Sequence, residues 1–189
     1  MLLLRPTAEP DRDQIRRWRN QPDVARWMYT RHEITEAEHA AWFARHLVDP
    51  QARSWVIEWD GTGVGVVNLS GIDADTHRAE WGIYVADARA RGTGAAEGAT
   101  FLSLEQAFGP LHLDEVTCEA VAGNERALRL YQRMGFRRRQ DQPVTVVRAG
   151  EPFDVVELAL GADEWAGARS DHHRRLVSRG VLGEDVAHD

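Results

Sequence analysis

The sequence predicts a single α/β domain in which strands and helices alternate. Three observations support this fold class: short runs rich in β-branched and aromatic residues, capping signals between them, and a length of 189 residues, which is enough for one sizeable core. We expect about seven of the runs to form strands. They are residues 2–4, 54–59, 64–69, 80–85, 115–121, 144–147 and 153–160.

Two helices are predicted between the first and second strands. Ile15 and Trp18 are spaced so that both lie on one helix face, and Pro22 disfavours continuation of that helix. Thr35 followed by Glu38 is a capping-box pattern. The second helix is therefore expected to begin at Thr35.

Three further helices are predicted in the second half of the chain. One spans about residues 94–108 and another 124–134, which Gly135 would end as a C′ glycine. The last residues are charged and contain glycine, which favours a helix with a frayed end. We therefore assign residues 1–162 to the domain and 163–189 to a C-terminal helix and flexible tail.

Composition excludes several classes of function. The formal net charge of −7 repels polyanions, so we expect no nucleic-acid partner. The apolar start is closed by Arg5 and Pro6, and no run approaches the roughly 20 apolar residues of a membrane span, so we expect a cytoplasmic protein without a membrane partner. Cys118 is the only cysteine, which excludes intramolecular disulfides and thiolate zinc clusters. We predict no metal site.

A glycine-containing loop joins the predicted strand 80–85 to the following helix. Gly92 and Gly94 let the backbone turn tightly, the helix N-terminus attracts anions, and Arg89 and Arg91 add positive charge. Such turns are common, so the loop alone is weak evidence for phosphate binding. A dinucleotide fingerprint would need a third glycine where Glu97 stands, and the Gly-Lys-Ser/Thr of a P-loop is absent.

The helix at residues 124–134 carries a second group of candidate residues. Asn124 is a good N-cap, and Tyr131 follows seven residues later, on the same helix face about two turns away. This spacing could place a phenol deep in a cleft. Alternatively, Tyr131 packs with Leu128 and Met134 as part of the core.

Together, the two groups resemble the GNAT acetyltransferase superfamily over about residues 2–160. The matching motifs are Arg89-x-x-Gly92-x-Gly94 and Asn124-x6-Tyr131-x3-Gly135-Phe136. The resemblance implies a central mixed, mostly antiparallel sheet flanked by helices. Two central parallel strands, residues 80–85 and 115–121, would splay to admit the pantetheine arm of coenzyme A.

The resemblance also implies direct transfer of acetyl from acetyl-CoA to a primary amine in a ternary complex. Tyr131 would protonate the departing thiolate, the strand ending at Tyr84 and Val85 would meet pantetheine, and the following loop would hold pyrophosphate. The implied CoA-binding residues are Tyr84, Val85, Arg89, Arg91, Gly92, Thr93, Gly94, Ala95, Asn124, Arg126 and Ala127.

The general base is less well defined. Glu80 is the leading candidate, with Glu119 and His77 as alternatives acting directly or through water. Glu80 could instead orient the substrate ammonium or be an ordinary surface residue. Cys118 is expected to be a buried hydrophobic residue rather than a nucleophile.

The acceptor is expected to be a small-molecule amine. Residues 19–29 interleave aromatic, cationic and flexible apolar side chains. Together with Glu36-x-x-His39-x-x-Trp42 and residues 80–84, they resemble the branch that acetylates the 4-amino group of UDP-linked amino-deoxysugars, which is close to the ribosomal-protein N-terminal acetyltransferases. The predicted acceptor-binding residues are Arg19, Asn20, Trp27, Met28, Tyr29 and Trp81. The alternative acceptors are a protein N-terminus and an aminoglycoside. A different function, a module that binds acyl-CoA without catalysis, is the second alternative. A homodimer is compatible with the sequence.

Overall fold

The computed structural model describes residues 1–184, which form one sheet with helices on both faces. The strands are β1 (Leu2–Pro6), β2 (Arg53–Trp59), β3 (Thr62–Asp73), β4 (Arg78–Val85), β5 (Glu115–Val121), β6 (Arg137–Arg138), β7 (Val144–Arg148) and β8 (Glu151–Gly161). The α-helices are α1 (Arg12–Arg19), α2 (Pro22–Ala25), α3 (Glu36–Val48), α4 (Ala95–Phe108), α5 (Glu125–Arg133) and α6 (Ala162–Ser178).

The sheet has the order β1-β2-β3-β4-β5-β8-β6, and β7 pairs with β8. Every neighbouring pair is antiparallel except β4 and β5, which are parallel. The predicted mixed, mostly antiparallel sheet is therefore confirmed. The one strand that was not predicted is β6, which raises the number of strands to eight. It has two residues, too few to produce an alternating pattern in the sequence.

The helix predictions hold with one addition. Thr35 caps α3 by accepting a hydrogen bond from the backbone N–H of Glu38 at 3.3 Å. As expected, α1 ends before Pro22, at Arg19. Pro22 is also the first residue of the short helix α2. Proline suits that position because its fixed φ is helical and the first N–H of a helix has no intrahelical partner.

Two hydrophobic cores cover the two faces of the sheet. Helices α1 and α3 bury Ile15, Trp18 and Phe43 on one face. Helices α4, α5 and α6 cover the other, where Phe101 of α4 packs against Trp165 of α6 with ring centroids 5.4 Å apart. The middle of β2 and β3 is therefore buried on both faces, whereas Glu80 of β4, in the single parallel pair, is exposed.

The chain beyond α6 is part of the fold. Val181 and Leu182, which fall in the predicted flexible tail, are buried, and the backbone carbonyl of Val181 accepts a hydrogen bond from the N–H of Leu2. Residues 185–189 of that predicted tail lie outside the described residues. Within residues 1–184, no helix combines the length and apolar character needed to cross a membrane.

Candidate active site

A cleft of about 1060 Å³ opens between β4 and β5. The two strands pair from Arg78 opposite Glu115 to Glu80 opposite Thr117. Beyond Glu80 they no longer pair, so their C-terminal halves diverge, as the resemblance implied. The predicted site residues that line this cleft are Arg19, Trp27, Met28, Tyr29, Glu80, Trp81, Tyr84, Val85, Arg91, Gly92, Gly94, Asn124, Arg126, Ala127 and Tyr131.

The structure does not bring four of the predicted residues to the cleft wall: Asn20, Arg89, Thr93 and Ala95. The amide of Asn20 exchanges two hydrogen bonds of 2.9 Å with the backbone of Ile34 and so supports the loop before α3. Arg89 turns outward to pair with Asp87. Thr93 donates to the carbonyl of Ala90 and accepts from Ala95 N–H, so it shapes the turn.

Tyr131 combines the two roles considered from its sequence position. Its ring is buried and meets the ring of Trp81 edge-on, with centroids 5.3 Å apart, while the residue lines the cleft. Its hydroxyl makes no hydrogen bond to any other group in residues 1–184 and so is free to donate to a ligand. Burial raises the pKa of this phenol, which keeps it protonated through the neutral range.

Trp81 lies at the cleft, but its side chain belongs mainly to the core. It is buried, and its indole N–H donates to the hydroxyl of Ser103 at 2.9 Å. The ring also packs against Phe136. Trp81 therefore supports the position of Tyr131 in addition to forming part of the wall.

The glycine loop, residues 89–94, leads directly into α4. Gly92 and Gly94 have φ values of +84° and +99°, a region that side-chain-bearing residues rarely adopt. A Cβ on Gly92 would meet open space, whereas one on Gly94 would lie 2.7 Å from a methyl group of Val181. Gly94 is thus needed for packing as well as for the turn. The guanidinium of Arg91 is held by Asp23 at 2.9 Å.

Helix α5 forms another part of the cleft wall. The side-chain oxygen of Asn124 accepts a hydrogen bond from Ala127 N–H at 3.2 Å, which confirms its predicted capping role. Arg126 and Ala127 follow in the first turn and line the cleft. Arg126 is exposed, so its charge is available to a phosphorylated ligand.

An aromatic segment, residues 26–31, crosses from α2 to the far side of the cleft. The hydroxyl of Tyr29 donates to Glu119 of β5 at 2.6 Å, and its ring packs edge-on against Phe153 of β8. Trp27 lies beside Gly123, after β5. The segment therefore bridges the two halves of the sheet over the diverging strands.

The two candidate carboxylates have different surroundings. One oxygen of Glu119 accepts from Tyr29, and the other accepts from Arg148 at 2.6 Å. Glu80 is exposed and has no hydrogen bond or ion pair from its carboxylate within residues 1–184. It is therefore the freer of the two to accept a proton or to hold an ammonium group.

Some residues that line the cleft, or that contact its lining residues, were not identified from the sequence. Arg148 reaches Glu119 from β7, and Arg133 and Arg179 reach Glu97 of α4 from α5 and from the residue after α6. These contacts join residues distant in the chain, and no local motif signals them.

Other reactive groups are not arranged for chemistry. Cys118 is buried, and burial raises the pKa of its thiol, which disfavours a nucleophilic thiolate. In the described part of the chain, no three His, Cys, Asp or Glu residues are grouped so that they could hold a metal ion.

Comparisons with known proteins agree with this geometry. Residues 1–137 match the model of the acetyltransferase (GNAT) domain. The chain is 28% identical to spermidine N(1)-acetyltransferase of Escherichia coli K12 over 133 residues, which are 70% of this chain and 71% of that protein. It is 26% identical to acetyltransferase PseH of Campylobacter jejuni over 72% of this chain and 85% of the relative.

The fold also matches a solved structure, that of spermidine N-acetyltransferase from Vibrio cholerae in complex with CoA and spermine. The TM-score is 0.78 at 21% identity, and the match covers 87% of this chain and 98% of the other. The splayed parallel strands, the glycine loop and the family match lead to one conclusion. The chain belongs to the GNAT acetyltransferase family and is an N-acetyltransferase that uses acetyl-CoA as its co-substrate.

Proposed function

We propose that the amine attacks acetyl-CoA directly in a ternary complex, with Tyr131 as the general acid and Glu80 as the general base. This proposal rests mainly on the divergence of β4 and β5, because the strands separate beyond Glu80 and leave a gap that connects the two faces of the sheet. Trp81 packs on Tyr131 at one face of the sheet. Glu80 precedes Trp81 in β4, so its side chain points to the opposite face. The thioester would lie between acid and base.

In this mechanism, Glu80 accepts a proton from the attacking amine, directly or through water. The nitrogen adds to the thioester carbonyl, and the C–S bond then breaks. Tyr131 donates its phenolic proton to the departing thiolate. The cofactor phosphates would meet the loop at Gly92 and the first turn of α4, whose N–H groups have no helical partners.

For the acceptor, we propose a nucleotide-linked amino-deoxysugar, acetylated at its 4-amino group. The aromatic segment supports this substrate, since the rings of Trp27 and Tyr29 offer faces for a sugar or a base. Arg26 and Arg91 both pair with Asp23. Arg19, which lines the cleft and has no carboxylate partner within residues 1–184, would therefore meet the acceptor diphosphate.

A polyamine is a second candidate. Glu80, Glu119 and Glu157 all line the cleft, and Glu119 lies directly opposite Glu157 in the register of β5 and β8. Within residues 1–184, Glu119 is the one among them that pairs with an arginine, Arg148. Glu80 and Glu157 have no ion pair within residues 1–184, although Gln140 donates to Glu157 at 3.2 Å. Two unneutralised carboxylates would suit an acceptor with several positive charges, and the Escherichia coli relative is a spermidine acetyltransferase.

We further propose that the enzyme acts in the cytoplasm, where acetyl-CoA is available.

A homodimer stays a prediction. Sedimentation of the purified chain would measure its mass in solution directly.

A competition assay tests the acceptor. UDP-4-amino-4,6-dideoxysugars, N-terminal peptides, a kanamycin-like aminoglycoside and spermidine would be offered at equal concentration with acetyl-CoA, and products identified by mass spectrometry. We expect the amino sugar to be acetylated at least about tenfold more efficiently than the others, a difference of about 1.4 kcal/mol. A tenfold preference for the peptide or for spermidine would contradict this assignment.

A variant separates the two leading acceptors. Glu157→Gln removes a carboxylate that lines the cleft. We expect this change to lower kcat/KM for spermidine more than for the amino sugar, because only the polyamine needs a second anionic partner.

The same panel of amines tests the non-catalytic alternative. If CoA binds tightly but none of the amines leads to release of free thiol, the result would favour a module that binds acyl-CoA without catalysis.

A further inference from the structure

A buried carboxylate pairs with two arginines beside the glycine loop. Glu97, in the first turn of α4, is 8% exposed and pairs with Arg133 of α5 at 2.9 Å and with Arg179. The two guanidinium groups are about half exposed, and all three residues line the cleft. Each guanidinium carries five N–H donors, so pairing with one carboxylate leaves donors for a ligand.

The segment that carries Arg179 is seated in a notch on α4. Gly94 and Gly98 lie one helical turn apart, and a Cβ on either would come within 2.8 Å of a methyl group of Val181. Val181 therefore fills the space that these two glycines leave. In this position, Nη2 of Arg179 lies 3.3 Å from where a Cβ on Gly94 would stand.

The charges around Glu97 favour an anion. One carboxylate and two guanidinium groups sum to a single positive charge, and the N-terminus of the 14-residue helix α4 adds a partial positive charge. Within residues 1–184, Arg91 is the one arginine of the loop before α4 that lines the cleft, and it is paired with Asp23. Arg179 therefore lies beside the glycine loop, lines the cleft and keeps part of its guanidinium exposed.

We propose that Arg179 is a phosphate-binding residue for acetyl-CoA, held in place by Glu97. The C-terminal segment then completes the cofactor site, and it lies outside the residues 1–137 that match the family model. Arg133 supports the same site from α5. The proposal concerns cofactor binding and does not depend on which amine is acetylated.

The test compares two ligands that differ in their phosphates. For Arg179→Gln, we expect the Kd of CoA, measured by calorimetry, to rise about 10- to 100-fold, the usual effect of losing a charge-assisted hydrogen bond. Pantetheine has no phosphate, so we expect its Kd, measured by ligand-observed NMR, to stay unchanged in the same variant. Arg179→Lys should recover part of the loss because it keeps the charge.

Arg174→Gln is the matched control, since Arg174 lies on α6 with an exposed partner, Asp171. It should leave the Kd of both ligands unchanged. An unchanged Kd of CoA in Arg179→Gln would overturn the proposal, and so would equal losses for CoA and pantetheine, because these would indicate a structural role. If Arg179→Gln does not fold, the same comparison with Arg179→Lys decides: a higher Kd for CoA alone supports the contact, and any other result contradicts it.

Discussion

Tyr131→Phe is expected to lower kcat by about 100- to 10,000-fold, the usual contribution of a general acid or base. The change removes a proton donor and almost no volume. Because the hydroxyl makes no hydrogen bond within residues 1–184, its loss should leave the fold intact. The KM for acetyl-CoA should change little, and steady-state kinetics with release of free thiol would measure both constants.

The pH profile provides a second measurement on Tyr131. Burial raises the pKa of the phenol above its ordinary value of about 10, so the acid form should persist and kcat should not fall through the mildly alkaline range on its account. An unchanged melting temperature would serve as the folding control. A loss of kcat smaller than threefold would show that water or another group protonates the thiolate.

Gly92→Val is expected to abolish CoA binding while the protein stays folded. Gly92 has a φ of +84°, and a Cβ there would point into open space along the cleft wall. A valine would therefore distort the loop and place two methyl groups where pyrophosphate is expected. The strain itself costs about 1–2 kcal/mol, which a folded domain can tolerate. Calorimetric titration with CoA would measure the loss.

Gly61→Val is the matched control for backbone strain. Gly61 also has a positive φ, +74°, with nothing near its Cβ position, and it lies in the turn between β2 and β3 away from the cleft. It should lose similar stability yet keep its affinity for CoA. A folded Gly92→Val protein with normal affinity would remove the basis for assigning this loop to phosphate binding.

The local features of this protein could be predicted from its sequence. Alternating apolar residues identify the strands, Thr35 and Asn124 act as N-caps, and the residues at Gly92 and Tyr131 indicate the family. These features depend on spacing within a few turns or strands, so the sequence alone carries them. The same motif could not show that Thr93 and Arg89 would turn away from the cleft, since that depends on rotamers and near neighbours.

The contacts that complete the site were decided by the tertiary structure. Glu119 meets Tyr29 across 90 residues, and Arg179 meets Glu97 across 82. Such pairs form because the sheet order and the docking of α6 bring distant segments together, and neither has a local sequence signal. The sequence by itself therefore determined the fold class and the cofactor chemistry. Only the folded chain determined which charged residues line the cleft and that Arg179, after α6, is one of them.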